Sequence, residues 1–322
     1  MSEAEQRAQA EIALARLIVD IADGRAVPST SYTVETFAHL WLEDYVRPNL
    51  SPNYYTTLEN MLRLRIIPAL GDVRLDKLTP IALTRFISGL KNEDKKTTAL
   101  PPEQRKRKAT QYEIDQYKDA KPQKLSNRTI KSYYDCLNSM LDKAVQWEKL
   151  SRNPMDKVDA PRYRKRKIKF LSDGEAVGLL RKLSDEENMS FRAAVLLSLL
   201  AGLRLGEVGG LRLTDVDWEN NAIDISRAVK YTPTTGQFEG APKSESGERP
   251  ITLPPDMMTL LTETMAYQAD VVALIGDRWR GDGRIVCSWD GSPLNKDTPS
   301  KWWRTYADKH GYEGVRFHDL RH

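Results

Sequence analysis

Two short motifs hold residue types that suit a phosphate. The first is Arg204-x-x-Glu207, just beyond the apolar run 193–201 and the Gly202 that follows it. The run reads as a core helix, and Gly202 is placed to stop it in a left-handed cap. Arg204 then sits where a buried helix breaks open, on a segment held by the core. An arginine fixed there offers a planar fork of donors to a phosphate. Glu207 lies one turn on if a short helix restarts, close enough to orient the guanidinium. The second motif is His318-x-x-Arg321, in VRFHDLRH. If a helix starts there, the two side chains share a face and offer one titratable donor and one permanent charge. Taken singly, each motif also fits an ordinary helix end with a surface ion pair, because matches this short recur by chance.

The rest of the chain must position these groups. Its 322 residues suffice for two domains, and 40% hydrophobic with 29% charged residues is a soluble globular composition. The net charge is only +4, but basic residues crowd into 105–108, 118–131 and 162–169. Such patches point to a polyanionic partner, although charge runs are also common in solvated loops. Cys136 and Cys287 lie far apart, and the four histidines do not pair with them as a zinc site requires. No metal or cofactor is expected. There is no signal peptide and no apolar run long enough to span a bilayer, so a cytoplasmic protein with no membrane partner is predicted.

Periodicity and caps divide the chain. Residues 1–30 hold one N-terminal helix, over 3–23, with Leu14, Leu17, Ile18 and Ile21 as its stripe. Residues 33–155 read as a helical domain. Its first helix covers 33–45, the second opens at Ser51-Pro52 and ends near Pro68 and Gly71, and the third opens at Thr79-Pro80. The polar stretch 91–125 is an insertion, either lying along a nucleic-acid backbone or solvated as a loop. A helix over 126–149 follows. Its first turn carries Asn127, Arg128, Thr129 and Lys131, which suit phosphate and base-edge contacts if that end meets DNA. Residues 156–169 form a basic linker, where Arg162, Arg164 and Lys165 could track phosphates. A second domain, 170–322, begins with a capping box at Ser172 and Glu175. Strands are predicted over 222–230 and 248–253, with a turn at Ser246-Gly247 and helices over 255–275 and 299–310. Cys287, Ser288 and Trp289 fit a short extended segment. The fold class is mainly α with a small β-hairpin or sheet.

Taken in order, Arg204-x-x-Glu207, a hairpin lysine at Lys243, and His318-x-x-Arg321 resemble the tyrosine recombinases, the lambda-integrase family. The match extends past the motifs. Residues 33–80, with IIPALGDVRLDKLTP, and 125–154, LSNRTIKSYYDCLNSMLDKAVQWEKLSRNP, resemble the core-binding (SAM-like) domain of phage and conjugative-transposon integrases. AGLRLGEVGGLRLTDVDW, PKSESGERPITLP and FHDLRH resemble the α+β catalytic domain. The resemblance covers most of 33–322. It implies two domains clamping a duplex from opposite sides, and DNA cut and rejoined through a 3′-phosphotyrosine to integrate or excise a mobile element, without metal or ATP. Arg204 and Arg321 would stabilise charge on the nonbridging oxygens of one phosphate. Lys243 would protonate the leaving 5′ oxygen, with Lys230 as a substitute. His318 would hold a phosphate oxygen or help move the nucleophile's proton, and Glu207 would orient its neighbours. The partners implied are double-stranded DNA attachment sites, a second copy on one site, a homo-tetramer in synapsis, and a directionality factor.

Two departures from the family pattern carry expectations. The family's nucleophilic tyrosine follows the His-x-x-Arg motif, so residues 1–322 are expected to bind DNA without forming a covalent adduct. The about thirty residues before Thr33 are too few for a separate arm-binding domain. The alternative functions are a type IB topoisomerase-like relaxation of DNA and a catalytically incomplete DNA-binding fragment.

Overall fold

Hydroxyl caps set the helices of the first half of the chain. Thr33, Ser51, Thr79 and Ser126 are each extended, and each side chain accepts the backbone N–H three residues on. In this computed structural model the described residues are 5–9, 11–12, 15, 31–94, 123–164, 167–232, 235–242 and 247–322. They fall into two units, Met1–Lys165 and Arg166–His322. Most of the N-terminal helix expected over 3–23, most of the insertion, Lys165 and Lys243 lie outside the described residues. Residues 5–9, 11–12 and 15 are helical.

The core of the first unit is built from α1 (34–49), α2 (52–70), α3 (Pro80–Gly89) and α4 (Asn127–Gln146). α1 and α2 each contain a π turn, Leu42–Val46 and Leu62–Ile66, just before Pro48 and Pro68. Proline has no N–H, and its ring clashes with the carbonyl four residues back. The wider turn takes in the extra residue and lets each helix pass through its proline. α1 therefore reaches Asn49 rather than stopping at Tyr45. The four stretches bury Trp41, Leu62, Ile66, Leu83, Ile130 and Leu137 in one core. The ends of the insertion meet in a bridge between Asp94 and Lys124. Arg65, only 5% exposed, secures that base. It donates to Glu93 at 2.8 Å, the Asp94 carbonyl at 2.6 Å and the Tyr133 hydroxyl at 2.9 Å.

The second unit wraps helices around the core helix α6 (Met189–Leu200). α5 (Asp173–Ser184) opens with the predicted capping box, and α6 ends with Gly202 at φ +65°. α7 (Leu205–Gly210) follows at once. Three antiparallel strands pair in the order β1 (Val216–Asp217), β2 (Ala222–Ile225), β5 (Arg249–Thr252), and a separate hairpin joins β3 (Ala228–Thr232) to β4 (Gly236–Gly240). The single strand expected over 222–230 is thus two, broken at Ser226-Arg227. At the break Arg227 donates to both oxygens of Asp215, at 2.8 and 2.6 Å. α8 (Pro255–Ile275) and α9 (Thr298–His310) match their predicted spans within a residue. Trp303 Nε1 donates to the Val315 carbonyl at 2.9 Å, fixing the approach to a 3-10 turn, Phe317–Arg321. Of the extended segment expected at Cys287, Ser288 and Trp289, Cys287 makes an isolated bridge to Pro293, while Trp289 lies in a turn. Among the described residues, no helix is long and apolar enough to cross a membrane, and no three His, Cys, Asp or Glu side chains group as metal ligands.

Candidate active site

Arg204 is the N-cap of α7 and Glu207 its third residue. The Glu207 carboxylate reaches back to accept the Arg204 backbone N–H at 3.0 Å and Arg204 Nη1 at 2.8 Å. A second guanidinium arrives from β5, with Arg249 Nη2 at 3.2 Å from Glu207 Oε2. The Glu207 side chain is 1% exposed, so one buried carboxylate holds two arginines. Burial alone would raise its pKa. The Arg204 N–H and the two guanidiniums outweigh burial and hold the group below the ordinary carboxylate range.

The opposite face of α7 is glycine. A Cβ on Gly206 would lie 2.7 Å from the Val229 carbonyl oxygen, and one on Gly210 would lie 3.2 Å from that of Arg227. The sequence GEVGG therefore lets β3 pack directly on the helix that carries Arg204.

The second motif sits on the 3-10 turn, where residues three apart eclipse. His318 and Arg321 therefore share a side, while Phe317, Asp319 and Leu320 are buried. Arg316 fixes the start of the turn by donating from its backbone N at 3.0 Å and its Nε at 2.8 Å to Asp319. The turn packs against α6, the helix that leads into Arg204. Burial and then the positive charge of Arg204 press the Arg321 pKa down, with Arg249 adding to this and Glu207 opposing it. Arg204, Glu207 and Arg321 are thus brought into one electrostatic site despite their separation in sequence. Among the described residues the Arg321 guanidinium has no hydrogen-bond or ion-pair partner. His318 has its pKa lowered by burial, then by Arg321 and His322, and its ring stands edge-on to His322 at 5.6 Å.

Lys243 lies outside the described residues, but its flanks do not. Pro242 and Gly247 touch closely enough that a Cβ on Gly247 would fall 2.5 Å from the Pro242 Cβ. Arg249 Nη1 donates to the Gly247 carbonyl at 2.8 Å, which ties the downstream flank to the Glu207 pair. Lys230 lies along Gly240 on the hairpin. Arg249 is the site residue that motif reading did not single out, because its importance comes from strand register: it pairs with Ile225 at the start of β5. Tyr306 and Tyr312 are core residues, and burial pushes the Tyr306 hydroxyl up to about 12.

In the first unit, Asn127 and Arg128 are exposed on the first turn of α4. The Thr129 hydroxyl is 2.8 Å from that of Ser126, and Lys131 pairs with Asp135. Arg162 and Arg164 are exposed in the segment after Val158.

Residues 33–91 match the phage integrase N-terminal SAM-like domain, and residues 169–322 match the phage integrase family. The chain belongs to this family, the tyrosine recombinases. It is 27% identical to the ICEBs1 integrase of Bacillus subtilis over 62% of its own length and 53% of that protein's. It is 24% identical to an integrase of Streptomyces ambofaciens over 98% of its length and 74% of that protein's. The chain therefore spans about half to three-quarters of these relatives. Its fold is that of the Tn1549 transposon integrase solved with circular intermediate DNA, with TM-score 0.66 and 18% identity over 91% of this chain and 85% of that one. It also matches lambda integrase solved as a tetramer on a Holliday junction, with TM-score 0.55 and 15% identity over 91% and 69% of the two chains.

Proposed function

We propose that this chain carries the core-binding and catalytic units of a site-specific DNA recombinase that integrates or excises a mobile element. The observation that carries this reading is the Glu207 carboxylate holding Arg204 and Arg249, with the turn bearing Arg321 packed on α6 near enough for Arg321 to feel both arginines' charge. The surplus of fixed positive charge calls for an anion, and a phosphodiester supplies one. Arg204 and Arg321 take its nonbridging oxygens, where charge grows as the pentacoordinate state forms. A tyrosine oxygen bonds to phosphorus, its proton passing toward His318, and the bond from phosphorus to the 5′ oxygen breaks. Lys243 gives a proton to that oxygen. The 3′-phosphotyrosine retains the bond energy, so the reverse steps reseal DNA without a nucleotide cofactor. Glu207 is a positioning residue, holding Arg204 and Arg249 rather than accepting the proton.

Asn127, Arg128, Thr129 and Lys131, with Arg162, Arg164 and Lys165, contact the duplex around the cut site. Two copies occupy one site and four assemble in synapsis, with a directionality factor setting the outcome. The test is a nicked substrate that traps covalent protein–DNA adducts on a denaturing gel. The complete protein forms the adduct, and Arg204→Ala loses it while still binding the site. Adduct formation that survives in Arg204→Ala at the parent rate would reject this reading.

A further inference from the structure

The phosphate chemistry uses Arg204 and Arg321 and leaves Arg249 without a task. The two arginines on Glu207 are not alike. Among the described residues, Arg204 gives one side-chain donor, Nη1, to the carboxylate, and no hydrogen bond engages its Nε or Nη2. Its side chain is 42% exposed, against 28% for Arg249. Both terminal nitrogens of Arg249 are engaged within the protein. Nη1 donates to the Gly247 carbonyl at 2.8 Å and makes a long contact of 3.5 Å to Glu207 Oε1, and Nη2 donates to Oε2 at 3.2 Å. Each carboxylate oxygen therefore meets one donor from Arg204, the Nη1 or the backbone N, and one from Arg249. The placement of α7 does not depend on Arg249. Its glycines pack on β3, and buried Arg284, itself paired with Glu239 and Asp282, donates Nη1 to the Gly209 carbonyl at 2.7 Å. What Arg249 holds on α7 is the carboxylate.

We infer that Arg249 is a positioning residue that locks the Glu207 carboxylate, and through it the Arg204 guanidinium, instead of contacting the phosphate itself. The inference rests on the reading of Arg204 as a phosphate ligand. A bound phosphate and Glu207 are two anions facing one guanidinium. Burial and the charge of the phosphate both drive the carboxylate toward its protonated form. Once protonated, it loses the charge-assisted bond that aims Arg204. Arg249 is the second positive charge that opposes this. The charged groups facing Glu207 are Arg204 on its own helix, Arg249 on β5 and Arg321 on the 3-10 turn. Burial pushes the carboxyl up, while the Arg204 N–H, then the Arg249 side chain, then that of Arg204 pull it down. Without Arg249, burial and the phosphate are opposed by fewer donors.

The experiment is a pH profile combined with a double-mutant cycle. Single-turnover cleavage by the complete protein is measured at saturating core-site DNA from about pH 5 to about pH 8.5. Arg249→Gln removes the charge and keeps an amide donor. Its acid limb should move up by about one to two units, with a loss of about tenfold or more at the acid end and within about threefold at the alkaline end. His318 titrates in parent and variant alike and cancels in their ratio. In a Glu207→Gln background, where that position no longer ionises, Arg249→Gln should cost less than about threefold at every pH. Arg249→Lys keeps the charge but cannot fork between the Gly247 carbonyl and the carboxylate, so its acid limb should fall between those of parent and Arg249→Gln. It carries the same cycle if Arg249→Gln does not fold. A loss that is equal at every pH, or one that persists in full without Glu207, would overturn the inference and make Arg249 a phosphate contact in its own right. Parental rates at every pH in both variants would overturn it too. Those outcomes leave the role of Arg204 standing, whereas Arg204→Ala cleaving at the parent rate would reject that role and the inference with it.

Discussion

The two arginine clusters flanking α7 are built from the same parts and do opposite things. Around Arg212, three arginines (with Arg227 and Arg284) face three carboxylates, Asp215, Glu239 and Asp282, and each arginine has a carboxylate partner within hydrogen-bond distance. Around Glu207, two arginines share one buried carboxylate, and the nearby Arg321 has no ion pair among the described residues. A charge-balanced cluster has its ion pairs within the protein and acts as scaffold. An unbalanced one keeps like charges close at an electrostatic cost that a bound phosphate offsets. The pKa shifts agree with this division. Arg212 is raised, chiefly by its bond to Asp282, whereas Arg321 is lowered by burial and by Arg204.

The comparison breaks most visibly by removing one arginine from each side. Arg321→Ala should cut cleavage by about 100-fold or more, as expected for loss of a transition-state contact. Its stability should change by no more than about 0.5 kcal/mol, since no partner is orphaned. Arg284→Ala should instead destabilise the fold by about 3 kcal/mol, because Glu239, Asp282 and the Gly209 carbonyl all lose a buried donor. Cleavage assays and chemical denaturation of both variants check this, and similar profiles for the two would erase the distinction.

A smaller effect is expected at Glu207. Glu207→Gln should cost about 2 kcal/mol at pH 7, less than breaking a fully buried pair because both arginines are partly solvated. The folded carboxyl is lowered from 4.5, so its contribution is present above that pH and is lost as pH falls through the lowered folded value. The stability gap between parent and variant should therefore be widest near neutrality and close in acid, as read by melting across that range. His318 sharpens the same point. Burial and Arg321 lower it from 6.5, so its neutral form is favoured in the free protein, and acidification through that range disfavours the fold. A bound phosphate should move its titration upward, which ring NMR with and without core-site DNA can follow. The smallest expected effect lies in the first unit. Arg128→Ala should weaken DNA binding within roughly tenfold and reduce the slope of log affinity against log salt by about one.

Much of this was legible in the sequence where a local rule decides the outcome. The caps at Ser51, Thr79, Ser126 and Ser172, the stop at Gly202 and the spans of α8 and α9 follow from side chains that act on their own backbone. The motif pair Arg204 and Arg321 was readable for the same reason, each with its partner three residues away. What was not legible depends on distant chain. The π turns appear where helix packing carries α1 and α2 through their prolines. β4, in the sequence GQFEG, reads as a loop because glycines bound a single apolar residue, and only pairing with β3 makes it a strand. Arg249 and Arg284 look like ordinary basic residues until sheet register and the bridge from Arg212 to Arg284 bring them to α7.

The central claim is that Arg204 and Arg321 act on the negative charge of one phosphate. It is tested most directly by replacing a nonbridging oxygen of the scissile phosphate with a methyl group, which removes that charge. Cleavage by the complete parent protein is compared with Arg204→Ala and Arg321→Ala on both substrates. On the natural phosphate the parent should exceed each variant by about 100-fold or more. On the neutral methylphosphonate that ratio should fall to within about tenfold, because the variants no longer lack a partner for the missing charge. An undiminished ratio on the neutral substrate would contradict the account, placing the two arginines in a role other than holding that phosphate.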